Sequence, residues 1–129
     1  MEIIKRDDLV KNPLPGRTIQ NAVGKKYIID SSKMTVGFAT YSAESGIMEP
    51  HHHAEESIYV IDAKKAYVLH GDSKENLGDR HDLEKGMVMH FPEDEWHVFL
   101  YDDGGYLDII FIYGEAENLR PEKIGGNKS

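Results

Sequence analysis

Two stretches of this chain carry residue types that do chemistry at spacings that matter. The first is Glu49-Pro50-His51-His52-His53-Ala54-Glu55-Glu56. On an extended strand, side chains alternate between faces, so His51 and His53 point one way and His52 the other. Two imidazoles on one face reach a common ion at nitrogen–metal distances of about 2.0–2.1 Å. Glu56 has the opposite parity to His53. It joins that face only if the chain bulges at Ala54-Glu55, a device common beside active sites. A histidine run in a polar segment is also an ordinary solvated loop. The strand that follows at once argues instead for fixed orientation.

The second stretch is Gly86-Met87-Val88-Met89-His90-Phe91-Pro92-Glu93-Asp94-Glu95-Trp96-His97. A glycine starts a strand, a proline closes it, and a tight acidic turn delivers His97 to the next strand. That arrangement aims one imidazole rigidly. The plainer alternative is a hairpin whose histidine only packs beside Trp96.

The elements that must position these groups are short strands. Lys5 to Val10 has room for one helical turn, and Pro13 and Pro15 make residues 1–16 a coil or edge arm. Strands are expected at Arg17 to Val23, Tyr27 to Ile29 and Met34 to Tyr41, the last broken only by Gly37. Glu49 to His53 is a polar strand candidate, and Ser57 to Ile61 is dense in branched and aromatic residues. Asp62-Ala63-Lys64-Lys65 is expected to turn the chain into Ala66 to Leu69. A short edge strand at His81 to Leu83 is followed by Met87 to Phe91 and Trp96 to Tyr101. Asp102-Asp103-Gly104-Gly105 is the strongest turn signal in the chain, and Leu107 to Tyr113 is its most apolar strand. Residues 115–129 form a charged tail. Frequent turns between short strands indicate an all-β sandwich or small barrel, in one domain spanning 1–129.

With these strands in place, the chain resembles the cupin superfamily. Gly46, His51, His53, Glu56 and the strand from Ile58 to Ile61 follow that family's first motif. Gly86, Pro92 and His97 follow its second, and the resemblance runs from about Met34 to Tyr113. Departures are the two-residue spacer before Glu56, Ala63 at a usual turn glycine, Asp94 at another usual glycine, and Tyr101 at a usual asparagine. A register using His52 would place Pro50, which cannot ligate, at the first histidine. Ser57 falls at the glutamate position if no gap is allowed, but serine is a poor ligand.

The resemblance implies a double-stranded β-helix, a jelly-roll barrel, with His51, His53, Glu56 and His97 as metal ligands. Such a donor set suits one divalent ion of Fe, Mn, Ni, Co or Zn. It further implies a metal-dependent enzyme acting on a small oxygenated organic molecule, by dioxygenase- or isomerase-type chemistry. His90 and Glu95 are candidate internal bases, and Tyr59, Tyr67 and Tyr101 are candidate phenols, with rim packing as their ordinary role. The alternative is a noncatalytic small-molecule-binding module. A homodimer is expected, because family members frequently associate.

Other groups have everyday explanations. Met34, Met87 and Met89 are spaced as strand fillers. His70 and His81 are expected to be exposed, and Trp96 to face away from His97. Arg17 meets an anionic substrate only if its strand lines the mouth.

Composition narrows the remaining classes. The chain has 129 residues, with 23 acids against 15 bases and a formal charge of −8. Such a surface repels a phosphate backbone, so neither nucleic acid nor an anionic membrane is an expected partner. The chain has no cysteine, which removes disulfides, thiolate metal sites and thiol nucleophiles together. No apolar stretch reaches spanning length and no signal peptide is visible, so a cytoplasmic setting is expected.

Overall fold

The computed structural model describes residues 1–115 of the chain. The charged tail from residue 116 lies outside the described residues. Among the described residues, nine strands form one hydrogen-bonded sheet: β1 (Asn12–Leu14), β2 (Arg17–Gly24), β3 (Ile29–Asp30), β4 (Thr35–Tyr41), β5 (Glu56–Ser73), β6 (Asn76–Leu77), β7 (His81–Asp82), β8 (Val88–Phe91) and β9 (Trp96–Tyr113). Along the sheet the order is β1-β2-β4-β9-β5-β6. β3 runs parallel to the end of β2, and β7 and β8 are antiparallel to β5.

The sheet folds over on itself through its two longest strands. β5 and β9 each run 18 residues and pair antiparallel from Glu56 opposite Tyr113 to Gly71 opposite Trp96. Their two halves therefore lie in two layers. Tyr41 on β4 packs against Phe99 in the first half of β9, with ring centroids 5.3 Å apart. Phe91 on β8 reaches the same Phe99 at 6.0 Å. Between the layers sit Ile58, Val60, Leu107 and Ile109, each almost wholly buried. Full burial of side chains of this size stabilises by roughly 1.5–3 kcal/mol each.

This architecture corrects several local expectations. Asp62 to Lys65 is not a hairpin turn, and neither is Asp102 to Gly105. Tyr101 pairs with Ala66 and Tyr106 with Lys64, so Asp102 to Gly105 bulge outward opposite Lys65. Both segments are corners at which a paired ribbon passes from one layer to the other. Lys65 at φ 53° and Gly104 at φ 79° supply the left-handed backbone that such a corner uses. The third strand is Ile29–Asp30 rather than Tyr27 to Ile29. Glu49 to His53 is not a strand, for it pairs only where His51 meets His97.

The closed barrel is also corrected. The fold is related to the jelly roll, but the sheet stays open, because β7 and β8 each pair with β5 and no ladder joins them among the described residues. A 3₁₀ turn at Arg6–Asp8 and β1 make up the N-terminal arm. Arg6 fastens that arm to the sheet with two hydrogen bonds to the Asp108 carboxylate, at 2.7 and 2.8 Å. No helix among the described residues is long and apolar enough to cross a membrane.

Candidate metal centre

Three separate pieces of backbone place the histidines. His97 is the second residue of β9. His51 is held to it by reciprocal backbone hydrogen bonds, His51 N to His97 O at 3.0 Å and His97 N to His51 O at 2.9 Å. His53 follows in irregular chain, and its carbonyl accepts from the Asp94 amide at 2.9 Å. Because the chain bends at Ala54 before β5 begins at Glu56, the strand-parity conflict between His53 and Glu56 does not arise.

The result is a nearly equilateral triangle of imidazoles. Ring centroids lie 5.0 Å apart for His51–His97, 5.1 Å for His53–His97 and 5.2 Å for His51–His53. One ligand nitrogen from each ring lies within 4.8 Å of the others. Glu56 Oε1 sits 3.5 Å from His97 Nε2 and 3.8 Å from His53 Nε2. All four side chains are buried. His52 turns away and stacks on Trp96, with centroids 4.2 Å apart.

Hydrogen bonds select which nitrogen faces inward. The His53 Nδ1 donates to the Ala54 carbonyl at 3.2 Å, and the His97 Nδ1 to the Glu95 carbonyl at 3.3 Å. A neutral ring protonated at Nδ1 carries its lone pair on Nε2, the atom that faces Glu56 Oε1 in both residues. Phe91 stacks on the His97 ring at 4.2 Å and 18°, fixing its plane.

Burial sets the charges. Desolvation, with the neighbouring His53 adding to it, pushes His97 down to about 3. His51 is lowered well below its usual value by the same burial and by His97 and His53. The Glu56 carboxyl is raised by burial to about 8, although a hydrogen bond from Tyr113 and the charge of Arg17 pull it the other way. Without a cation, then, His51 and His97 are neutral imidazoles and Glu56 is a neutral acid near pH 7.

These residues fit a metal ion. Glu56 Oε1 is buried with no hydrogen-bond partner, an uncommon and costly state for a carboxyl oxygen. A cation among three lone-pair nitrogens would satisfy it and restore the ionised form. The His51, His53 and His97 cluster can hold one divalent ion in this way.

Other candidates from the sequence stand apart from this centre. Tyr59 faces outward and is 44% exposed, because Ile58 and Val60 on either side of it take the core face. His90 is exposed, bonded to Ser57 Oγ and Glu55 Oε2 at 2.7 Å each. It pairs with Ser57, the residue after Glu56, and so takes the opposite face. The Glu95 side chain lies 3.7 Å from His70 Nδ1 instead. Tyr67 packs under the Arg80 guanidinium, and Tyr101 donates to the Gly46 carbonyl at 2.9 Å.

Near the centre stand Tyr113, which the sequence did not mark out, and Arg17, which it offered only as a contact for an anionic substrate. The Tyr113 hydroxyl lies 3.2 Å from His53 Nε2, and its residue pairs directly with Glu56. The alternation Leu107, Ile109, Phe111, Tyr113 already placed it on the core face. Arg17 is buried at 5% exposure, its Nη1 donating to the Pro15 carbonyl at 2.9 Å. Its charge is felt at His51, Glu56 and His97. No local pattern marks it as buried, since a lone arginine after a glycine turn usually lies on the surface.

No protein-family model matches the chain, and no curated protein matches it in sequence. Solved structures do. The chain is similar to the polyketide cyclase RemF from Streptomyces resistomycificus, at 18% identity and a TM-score of 0.72, over 93% of this chain and 82% of that one. It is similar to hydroxypropylphosphonic acid epoxidase from S. wedmorenis, at 17% identity and 0.63, over 88% of this chain and 59% of that one. A variant of oxalate decarboxylase from Bacillus subtilis gives 19% identity and 0.67, over 88% of this chain but 29% of that one. At such identities the likeness is one of fold. Together with the two-layer sheet and its interior histidines, it identifies the chain as a small protein with the cupin fold.

Proposed function

We propose that this protein is a metal-dependent enzyme acting on a small oxygenated organic molecule. One observation carries the reading: a buried triangle of imidazoles encloses a carboxyl oxygen that has no hydrogen-bond partner. Such a donor set suits Fe, Mn, Ni, Co or Zn as the divalent ion. When bound, the ion supplies Lewis-acid or redox chemistry to an oxygen-bearing substrate. The chain's own part is to hold the three imidazole donors in place, to keep bulk water out, and to present Tyr113 beside them. The three similar enzymes are named for a polyketide, a hydroxypropylphosphonic acid and oxalate, all oxygenated molecules. His51, His53, Glu56 and His97 are the proposed ligands. Glu95, beside His70, remains the better-placed candidate base, whereas Tyr59 and His90 lie on the outer face.

Elemental analysis of the untagged protein beside its His51→Ala and His97→Ala variants tests this. About one equivalent of a transition metal is expected in the native chain, and little in either variant. Equal contents in all three would sink the proposal. Dioxygen uptake against a panel of diols and keto acids then separates the enzyme from the noncatalytic binding module. That second reading draws on the burial of all four ligand candidates, and saturable binding without turnover would establish it. The exposed Tyr59, Val88 and Ile112 side chains support the expected homodimer.

A further inference from the structure

The sheet that encloses the cluster is interrupted between β7 and β8. Among the described residues both are edges, each paired with β5 alone. Between them lies a cleft of about 410 Å³. Its inner walls are Val68, Leu83, Met87, Met89 and Phe91. Val68, Leu83 and Phe91 belong to the buried core, and both methionines pack against it. The cleft is therefore a continuation of the core that opens to solvent.

Two relationships tie the cleft to the histidine cluster. Phe91, one of its walls, is stacked on the His97 ring at 4.2 Å. His70, on its rim, pairs directly with His97 across the β5–β9 ladder. Residues directly opposite in an antiparallel pair put their side chains on the same face. His70 thus stands beside the cluster's own His97, with Glu95 at 3.7 Å and the His81 ring at 5.2 Å.

Resting on the enzyme reading above, we propose that this gap holds the apolar ring of the substrate. The oxygen-bearing edge of that ring is turned toward Phe91 and the His70–Glu95 pair. The volume lies within the range of roughly 300–1,000 Å³ usual for small-molecule sites. Methionine walls adapt to a flat ring. The charge of the lining selects further. No lysine or arginine lines the cleft, whereas Asp82 and Glu95 do. A compact dianion finds no ammonium or guanidinium there and meets two carboxylates, so the substrate class is an oxygenated aromatic, or a comparably flat apolar molecule.

The test uses 2-naphthol titrated into the metal-free protein, with the probe's own fluorescence as signal. Saturable one-to-one binding is expected, weakened at least tenfold in Met89→Glu and changed less than twofold in His51→Ala. Oxalate should leave the signal unaltered. Absence of saturable binding, indifference to Met89→Glu, or displacement by oxalate overturns the inference. Should Met89→Glu lose its near-ultraviolet dichroism, Met87→Glu takes its place under the same tenfold criterion. Metal content of the same variants is read separately: Met89→Glu should retain the metal and His51→Ala should lose it. Failure of the cleft and failure of the metal centre are thereby distinguished.

Discussion

The Nε2 of His97 lies 3.5 Å from the Oε1 of Glu56, yet near neutral pH the pair is not ionic in the metal-free chain. Burial holds the imidazole neutral down to about 3 and the carboxyl neutral up to about 8. Each group is discharged by the same dry surroundings. Only a cation between them makes the carboxylate worthwhile.

Metal uptake should therefore release a proton, and Glu56 should be its source. His51 and His97, already neutral, have none to lose. Calorimetry at pH 6.5 in two buffers of different ionisation enthalpy is expected to report about one proton released per ion. Release should fall toward zero above pH 9. In Glu56→Gln it should vanish at both values, and the same release from that variant would show the proton to come from elsewhere.

Stability of the metal-free protein should pass through a maximum in pH. The Glu56 pKa is raised from 4.5 to about 8, so its contribution is complete below 4.5 and is lost as pH rises through 8. That of His97 is lowered from 6.5 to about 3, so its contribution is present above 6.5 and is lost as pH falls through 3. His51 acts in the same direction as His97. Two groups rising against one falling place the optimum at about pH 6.5. Thermal melts in chelator should show it, and Glu56→Gln should flatten the decline from pH 6.5 to 8. A decline of unchanged steepness would exclude Glu56 as its cause.

Asp94→Gly should stabilise the fold. Asp94 adopts φ 68°, a left-handed conformation that a Cβ makes costly. Its amide bond to the His53 carbonyl at 2.9 Å survives the change. The relief expected is up to about 1 kcal/mol, and Asp94→Val should lose at least that much. Urea denaturation ranks the three proteins, and a glycine variant weaker than the native chain contradicts the assignment of strain.

Gly37→Ala should destabilise for a steric reason. A Cβ there would meet Phe111 Cζ at 2.5 Å and the Gln20 carbonyl oxygen at 2.7 Å. The ring can yield, but the backbone oxygen belongs to the β2–β4 ladder and cannot. A loss of about 1–3 kcal/mol is expected. Phe111→Leu in the same chain should recover only part of it, which a comparison of denaturation midpoints would show.

Strand identity was legible where one face alone is buried. In β4 every second residue from Thr35 to Tyr41 is buried, and apolar alternation along Leu107 to Tyr113 has the same origin. Corners were not legible. Asp102-Asp103-Gly104-Gly105 has the composition of a hairpin turn, and its backbone does bend. Whether such a bend reverses the chain or carries it into a second layer depends on the partner strand, and here β5 stays paired on both sides. Local composition reports flexibility at a point, but it does not report what lies across the ladder.

The same division runs through the metal centre. The residue types, the closeness of His51 to His53 along the chain, and the rigid delivery of His97 after Pro92 were all present in the sequence itself. So were the glycines, since Gly46 and Gly86 take φ 80° and 92°, which other residues adopt only at a cost. Folding alone decided that Glu56 would share the interior with three imidazoles, and that Tyr113 and Arg17 would stand close enough to be felt there. Folding also left β7 and β8 unjoined. Donor chemistry is a property of single residues and travels with the sequence. Burial, and with it the discharge of Glu56 and His97, is created by layers that meet only when distant strands pair.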